Sequence, residues 1–376
     1  MNLNEILKVA VKNKASDVHL KVGLPPVLRV NGRLVPLKMD YRLKQEDLMG
    51  ITNMVLSDAQ KERFREMREL DVAYSVSGLG RFRANIFMQR GTLGVALRVV
   101  PGGVLSFEEL NLPEILEKVA SESRGLILCT GTTGSGKSTT LASIIEYINN
   151  HRTCHIITIE DPIEFLLKDK KSIITQREVE VDTPNFAAAL KSALRQDPDV
   201  ILVGEMRDYE TIETALVAAE TGHLVLSTLH TLDAAETINR IITVFPPYQQ
   251  KQIRLQLSSI LKSIISQRLV MRTDGEGRVP AVEILLNTAR IREYIEDKEK
   301  TKKIRDAIAE GFTTYGMQTF DQSLMNLYRK DLVTLDEAMR QATNPEDFAL
   351  RVKGVTSSSD LTWDEFDRVD GDDDSS

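Results

Sequence analysis

The sequence has little cysteine, few aromatics and no excess of positive charge. Its 376 residues include only two cysteines, Cys129 and Cys154. Two thiols build neither a disulfide framework nor a tetrathiolate zinc site, so a reducing, cytosolic compartment is the natural expectation. No apolar run reaches the ~18 residues that a membrane-spanning helix needs. The N-terminus carries Glu5 early and lacks both a long apolar stretch and a small-residue cleavage site, so no secretory signal is expected. Aromatic residues make up 5% of the chain, which leaves few stacking platforms for single-stranded nucleic acid. Lys and Arg number 48 against 55 acids, for a net charge of −7. That charge is local: residues 357–376 hold eight acids and one base, so the first 356 residues balance to zero. A neutral body lacks the electrostatic footprint of a constitutive nucleic-acid binder.

What is present is an ordinary globular composition, 42% apolar and 27% charged. The length fits two domains of usual size. Residues 1–14 read as an amphipathic helix through Leu3, Ile6, Leu7, Ala10 and Val11. Asn31-Gly32 between alternating runs predicts a hairpin, because both turn positions need positive φ. A helical stretch is expected over 45–68, then strands at 71–77, 81–89 and 93–100. The first hundred residues are thus an α+β unit with a mostly antiparallel sheet. Pro101-Gly102-Gly103 opens a linker, placed at 101–110. Beyond it, GLILCTG, HIITIED, DVILVGE and HLVLSTLHT alternate with helical patterns, as in a parallel α/β sheet covered on both faces. Residues 250–350 read as mainly helical, interrupted by a hairpin at Asp274-Gly275. Residues 357–376 read as an acidic, disordered tail.

Gly131-Thr132-Thr133-Gly134-Ser135-Gly136-Lys137-Ser138 fits G-x-x-x-x-G-K-[ST], between a strand-like LILCT and a helical run. Such a match arises by chance in about one chain in a hundred of this length. The expected phosphate cradle is Gly131, Thr133, Gly134, Ser135, Gly136, Lys137, Ser138 and Thr139. Backbone N–H groups and the helix dipole would hold the β-phosphate, Lys137 would reach the β- and γ-phosphates, and Ser138 would hold Mg²⁺. Three later strands end on polar groups. ITIEDPIEF brings Glu160, Asp161 and Glu164, where a carboxylate can orient and deprotonate water. VILVGEMRD ends on Glu205, in the position of an acid that supports Mg²⁺. LVLSTLHT ends on His230, whose neutral imidazole could sense the γ-phosphate. Arg83 and Arg98, on neighbouring predicted strands, are candidates to neutralise phosphate charge, with Arg81 and Arg90 nearby. Alone, the acids of ITIEDPIEF read at least as well as solvated loop residues, a lone histidine is more often a core or surface residue, and strand arginines are usually solvated; for Glu205 the plain helix-entry reading is weaker after so clean a strand.

Taken in order, these boxes resemble the secretion-ATPase superfamily, and within it the branch of type IV pilus retraction motors. The resemblance covers about residues 1–355, from ASDVHLKVGLPPVLRVNGRL to GMQTFDQSL. It implies a PAS-like N-terminal domain (1–100) and a RecA-like ATPase domain with a helical C-terminal part (111–356). It also implies ATP and Mg²⁺ as ligands and a cytoplasmic homohexamer at the inner face of the membrane. The partners it implies are a PilC-like inner-membrane platform protein and an accessory PilU-like paralogue. Glu164 matches the family's catalytic base, with Glu160 as the alternative in the same box. Glu205 matches its Walker B glutamate, His230 its histidine box, and Arg83 and Arg98 its N-terminal arginines. His223 falls where a second histidine occurs. The family's AIRNLIRE helix aligns with residues 290–297, where Arg292 and Ile295 fit and Tyr294, Glu296 and Asp297 depart. The extension motors carry an extra N-terminal region and a four-cysteine module, which this chain lacks. Outside this reading stand a RecA-like nucleic-acid translocase and a nucleotide-gated scaffold without hydrolysis. The neutral body disfavours the first, and the full set of acids disfavours the second.

Overall fold

The computed structural model describes residues 2–30, 32–100, 103–275 and 277–354. The expected acidic tail, Asn31 of the first turn and Pro101-Gly102 of the linker lie outside the described residues. The chain divides into two compact units, Met1–Val104 with Pro162–Leu167, and Leu105–Asp161 with Lys168–Ser376.

The first unit holds six strands: β1 (Asp17–Lys21), β2 (Val27–Val30), β3 (Arg33–Pro36), β4 (Glu69–Val76), β5 (Gly80–Gln89) and β6 (Thr92–Val99). They form one antiparallel sheet in the order β3-β2-β1-β6-β5-β4. Alternation puts Val18, Leu28, Phe82, Ala84 and Leu97 on one face, where the helix Leu3–Lys12 adds Leu3, Ile6, Leu7 and Ala10 to the same core. The pairing Val30↔Arg33 closes the first hairpin, and Gly32 has φ 78°. The stretch 45–68, expected as one helical region, is two helices, Gln45–Val55 and Asp58–Met67. Ser57 starts the second through a capping box with Gln60.

The second unit holds β7 (Gly125–Thr130), β8 (His155–Glu160), β9 (Ile173–Glu178), β10 (Val200–Val203), β11 (Leu224–Leu229), β12 (Leu261–Met271) and β13 (Arg278–Leu286). Their order is β13-β12-β7-β11-β10-β8-β9, and only the β12–β13 pair is antiparallel. Every residue of β7, β10 and β11 is buried, as continuous apolar runs require when helices cover both faces. Two strands correct the expectation. β9 was not anticipated: it is an edge strand with polar Gln176, Arg177 and Glu178, so it shows no apolar run. β12 begins at Leu261, inside the stretch expected to be helical. Its Ile264 and Ile265 are fully buried, and a short apolar run does not separate strand from buried helix by periodicity. The expected linker also narrows. Ser143 Oγ donates to the Leu105 carbonyl at 2.7 Å, and Phe107 stacks on Tyr147 with ring centroids 5.6 Å apart. Residues from Leu105 onward are therefore packed on the helix Lys137–His151.

Candidate active site

The parallel register brings four strand ends to one edge of the second sheet. Thr130 pairs with Leu229, Ser227 with Val203, and Val203 with Ile159. The residues that follow, Gly131, His230 and Gly204-Glu205, therefore emerge together, with Glu160 ending β8 beside them. This is the edge where open parallel sheets carry their ligands.

The glycine loop 131–136 turns sharply at this edge. Gly131, Gly134 and Gly136 have φ of 139°, 78° and 94°, values that residues with a Cβ rarely adopt. Gly136 sits at the N-cap of the helix Lys137–His151, and no side chain caps that helix. Its first-turn N–H groups and positive dipole end are thus left for an anion. Lys137 is 8% exposed, and its ammonium donates to the Gly131 and Thr132 carbonyls at 2.9 Å each. Thr133, Gly134 and Ser138 are exposed, Thr139 is half-buried and Ser135 is buried.

Glu205 is a second hub on the same strand edge. Its carboxylate meets Arg207 Nε at 2.6 Å and His230 Nε2 at 3.0 Å. The bond to Glu205 raises the Arg207 guanidinium above its ordinary value, so it stays charged. Thr228 Oγ1 donates to the Gly204 carbonyl at 2.7 Å and ties the Glu205 turn to the strand that carries His230. Glu160 Oε1 accepts from Thr158 Oγ1 at 2.6 Å and Gln176 Nε2 at 3.1 Å, so this oxygen is engaged on its own sheet. His223 bonds the Ala218 carbonyl at 2.9 Å, in the turn before β11. A six-residue strand separates it from His230, roughly 20 Å at 3.3 Å per residue, so it lies at the other end of the sheet.

Glu164 is exposed and belongs to the segment Pro162–Leu167 that groups with the first unit. The sequence had placed that segment in the ATPase domain. Arg83 and Arg98 also lie in the first unit, directly opposite one another on β5 and β6. Two like charges facing across a ladder repel. Asp71 approaches Arg83 at 3.6 Å and Asp17 approaches Arg98 at 3.1 Å, which offsets that repulsion. Arg90 sits at the β5–β6 turn with φ 47°.

Sequence reasoning passed over Glu283. It is 4% exposed on β13 and accepts from the Ala234 N–H at 2.9 Å. Ala234 begins the helix that follows the His230 turn, so Glu283 ties that turn to β13. Burial pushes the Glu283 carboxyl up to about 7, with Asp233 adding to the rise and the Ala234 bond, Arg305 and Arg268 opposing it. A signal was present: one acid inside the otherwise apolar run VPAVEILL.

A buried parallel sheet, a glycine loop feeding an uncapped helix, and an acid–histidine pair on the same strand edge define the class as a P-loop ATPase. The family described as "Type II/IV secretion system protein" matches residues 95–357, and the chain belongs to it. It is 46% identical over 348 residues to the PilT retraction ATPase of Pseudomonas aeruginosa, covering 93% of this chain and all of that one. It is 41% identical over 364 residues to the PilU ATPase of the same organism, covering 96% and 94%. A crystal structure of the pilus retraction motor PilT with bound ADP superposes with a TM-score of 0.85 at 48% identity. That alignment covers 92% of this chain and 98% of that one.

Proposed function

We propose that this chain is the ATP-hydrolysing motor that retracts a type IV pilus, withdrawing pilin subunits from its base. The observation that carries the reading is the strand edge that gathers the glycine loop, Glu205 and His230. The 46% identity to a PilT over its whole length supports the choice of pilus retraction. The protein works in the cytoplasm as a homohexamer, peripherally attached to an inner-membrane platform protein.

ATP docks with its phosphates in the 131–138 loop. Lys137 exchanges its two carbonyl partners for phosphate oxygens, so a charge now held by neutral dipoles meets an anion. The donors suit Mg²⁺, which keeps several waters and takes few protein oxygens. Ser138 and the Glu205 carboxylate would hold that ion, which supplies charge neutralisation on the phosphates. His230, bonded to Glu205, reports on the γ-phosphate position. Glu164 orients the attacking water, and Arg83 and Arg98 neutralise the phosphate charge that grows during transfer. Lys137→Ala removes ATP turnover in a phosphate-release assay; full activity in that variant would refute the loop assignment. Glu164→Gln retains nucleotide binding and loses hydrolysis. Normal turnover in that variant moves the water-orienting role to Glu160.

A second reading is favoured by the 41% identity to PilU over 96% of the chain: an accessory motor that acts beside a main one. The two part on whether this chain alone, without a paralogue, supports retraction in cells.

A further inference from the structure

β12 ends its pairing with β7 at Ser266↔Thr130, where Thr130 Oγ1 donates to Ser266 Oγ at 3.0 Å. The next residue on each strand is Gln267 and Gly131, and here β12 meets the glycine loop. A Cβ on Gly131 would lie 2.4 Å from the Gln267 carbonyl oxygen, and a Cβ on Gly136 would lie 2.6 Å from Gln267 Nε2. The first approach is to backbone and leaves no room for a side chain; the second is to the end of the Gln267 side chain, so it closes the space under Gly136 only while that side chain is held in place. Both end glycines of the loop therefore rest on one residue. Gln267 is 3% exposed, and its Oε1 accepts from Thr140 Oγ1 at 2.8 Å. Thr140, 1% exposed, lies in the first turn of the helix that Lys137 begins. Cys129 Sγ also donates to Oε1, weakly, at 4.0 Å. Burial pushes that thiol up to about 12, so it stays neutral.

We infer that Gln267 is a positioning residue for ATP binding: it fixes the shape of the phosphate loop by carrying both of its end glycines and bonding to Thr140. The inference rests on the proposed role of the loop. A buried amide without a partner is costly, so the Thr140 bond locks the Gln267 side chain in one place. The locked side chain in turn closes the space beneath Gly136. The loop N–H groups can converge on a phosphate only while that floor is in place. The neighbouring residue leads elsewhere: Arg268 Nη1 donates to the Gln341 carbonyl at 2.8 Å and its guanidinium lies 4.0 Å over the Phe320 ring. Consecutive positions of one strand thus hold β7, the phosphate loop and the C-terminal helices.

The test is steady-state ATP turnover by the full chain for the wild type, Gln267→Met, Thr140→Val, Thr140→Ser, the Gln267→Met/Thr140→Val double variant and Lys137→Ala. Gln267→Met keeps length and loses both polar atoms. It raises KM for ATP about tenfold while kcat falls much less, because the floor acts on binding. Thr140→Val raises KM in the same sense, Thr140→Ser stays near wild type, and the double variant is no worse than Gln267→Met. A wild-type KM in Gln267→Met, or effects that multiply in the double variant, would overturn the inference. If Gln267→Met does not fold, an unchanged KM in Thr140→Val overturns it. Full turnover by Lys137→Ala would instead refute the phosphate-loop reading.

Discussion

Glu283 and Asp17 show how differently two carboxylates contribute. The buried Glu283 has a folded value of about 7 against an ordinary 4.5. The folded state therefore binds this proton more tightly than the unfolded chain does. The favourable contribution is complete below 4.5 and is lost as pH rises through about 7. A difference of that size corresponds to about 3 kcal/mol. Glu283→Gln can still accept from the Ala234 N–H and never ionises. The difference in melting temperature, variant minus wild type, should grow from pH 5 to pH 8; a constant difference would show that Glu283 does not titrate in this range. Asp17 by contrast pairs with an Arg98 side chain that is 71% exposed, and water screens such pairs to ~0–1 kcal/mol. Asp17→Asn should leave thermal stability nearly unchanged. It removes the negative charge beside Arg98 while an amide oxygen can still accept from Nε; on the role proposed for Arg98, any effect appears in ATP turnover rather than in melting.

At the scale of elements, legibility followed burial. The covered strands β7, β8, β10 and β11 stood out because each is an apolar run leading to a polar residue at or just past its end, and those ends are the candidate site. β9 was missed because an edge strand needs no apolar face. The start of β12 was missed because Leu261–Gln267 has no distinguishing period, which also hid Gln267 beneath the loop. Glu205 and His230 were legible as strand ends, but their 3.0 Å contact depended on the β10–β11 pairing, which no local pattern encodes. The helix Ala289–Glu296 departs from the family's motif yet keeps its amphipathic spacing, with Ile291 and Ile295 fully buried. Ile295→Ala should cost about 2–5 kcal/mol in denaturant unfolding, since it empties a packed site. Arg292→Ala on the exposed face should cost less than ~0.5 kcal/mol. Equal losses would contradict the burial pattern.

Across the whole molecule, charge separates into a neutral body and an acidic C-terminal twenty residues. A neutral body that binds one anionic nucleotide at a local loop suits a motor working on protein partners rather than on nucleic acid. The rhythm of the sequence changes near residue 101, and the first stretch of the first compact unit ends at Val104. The grouping of Pro162–Leu167 with the first unit was not legible in the sequence, because it depends on tertiary packing. Ending the chain at Thr356 should leave ATP turnover within about twofold of the full protein, because residues 357–376 lie outside the stretch that carries the nucleotide-binding boxes. The central claim is that ATP hydrolysis here withdraws pili. It is tested most directly by counting surface pili in the native host after deletion of this gene. Retraction predicts excess pili and loss of twitching, both reversed by the wild-type chain and neither by Lys137→Ala. Bald cells after deletion, or full rescue by Lys137→Ala, would contradict it.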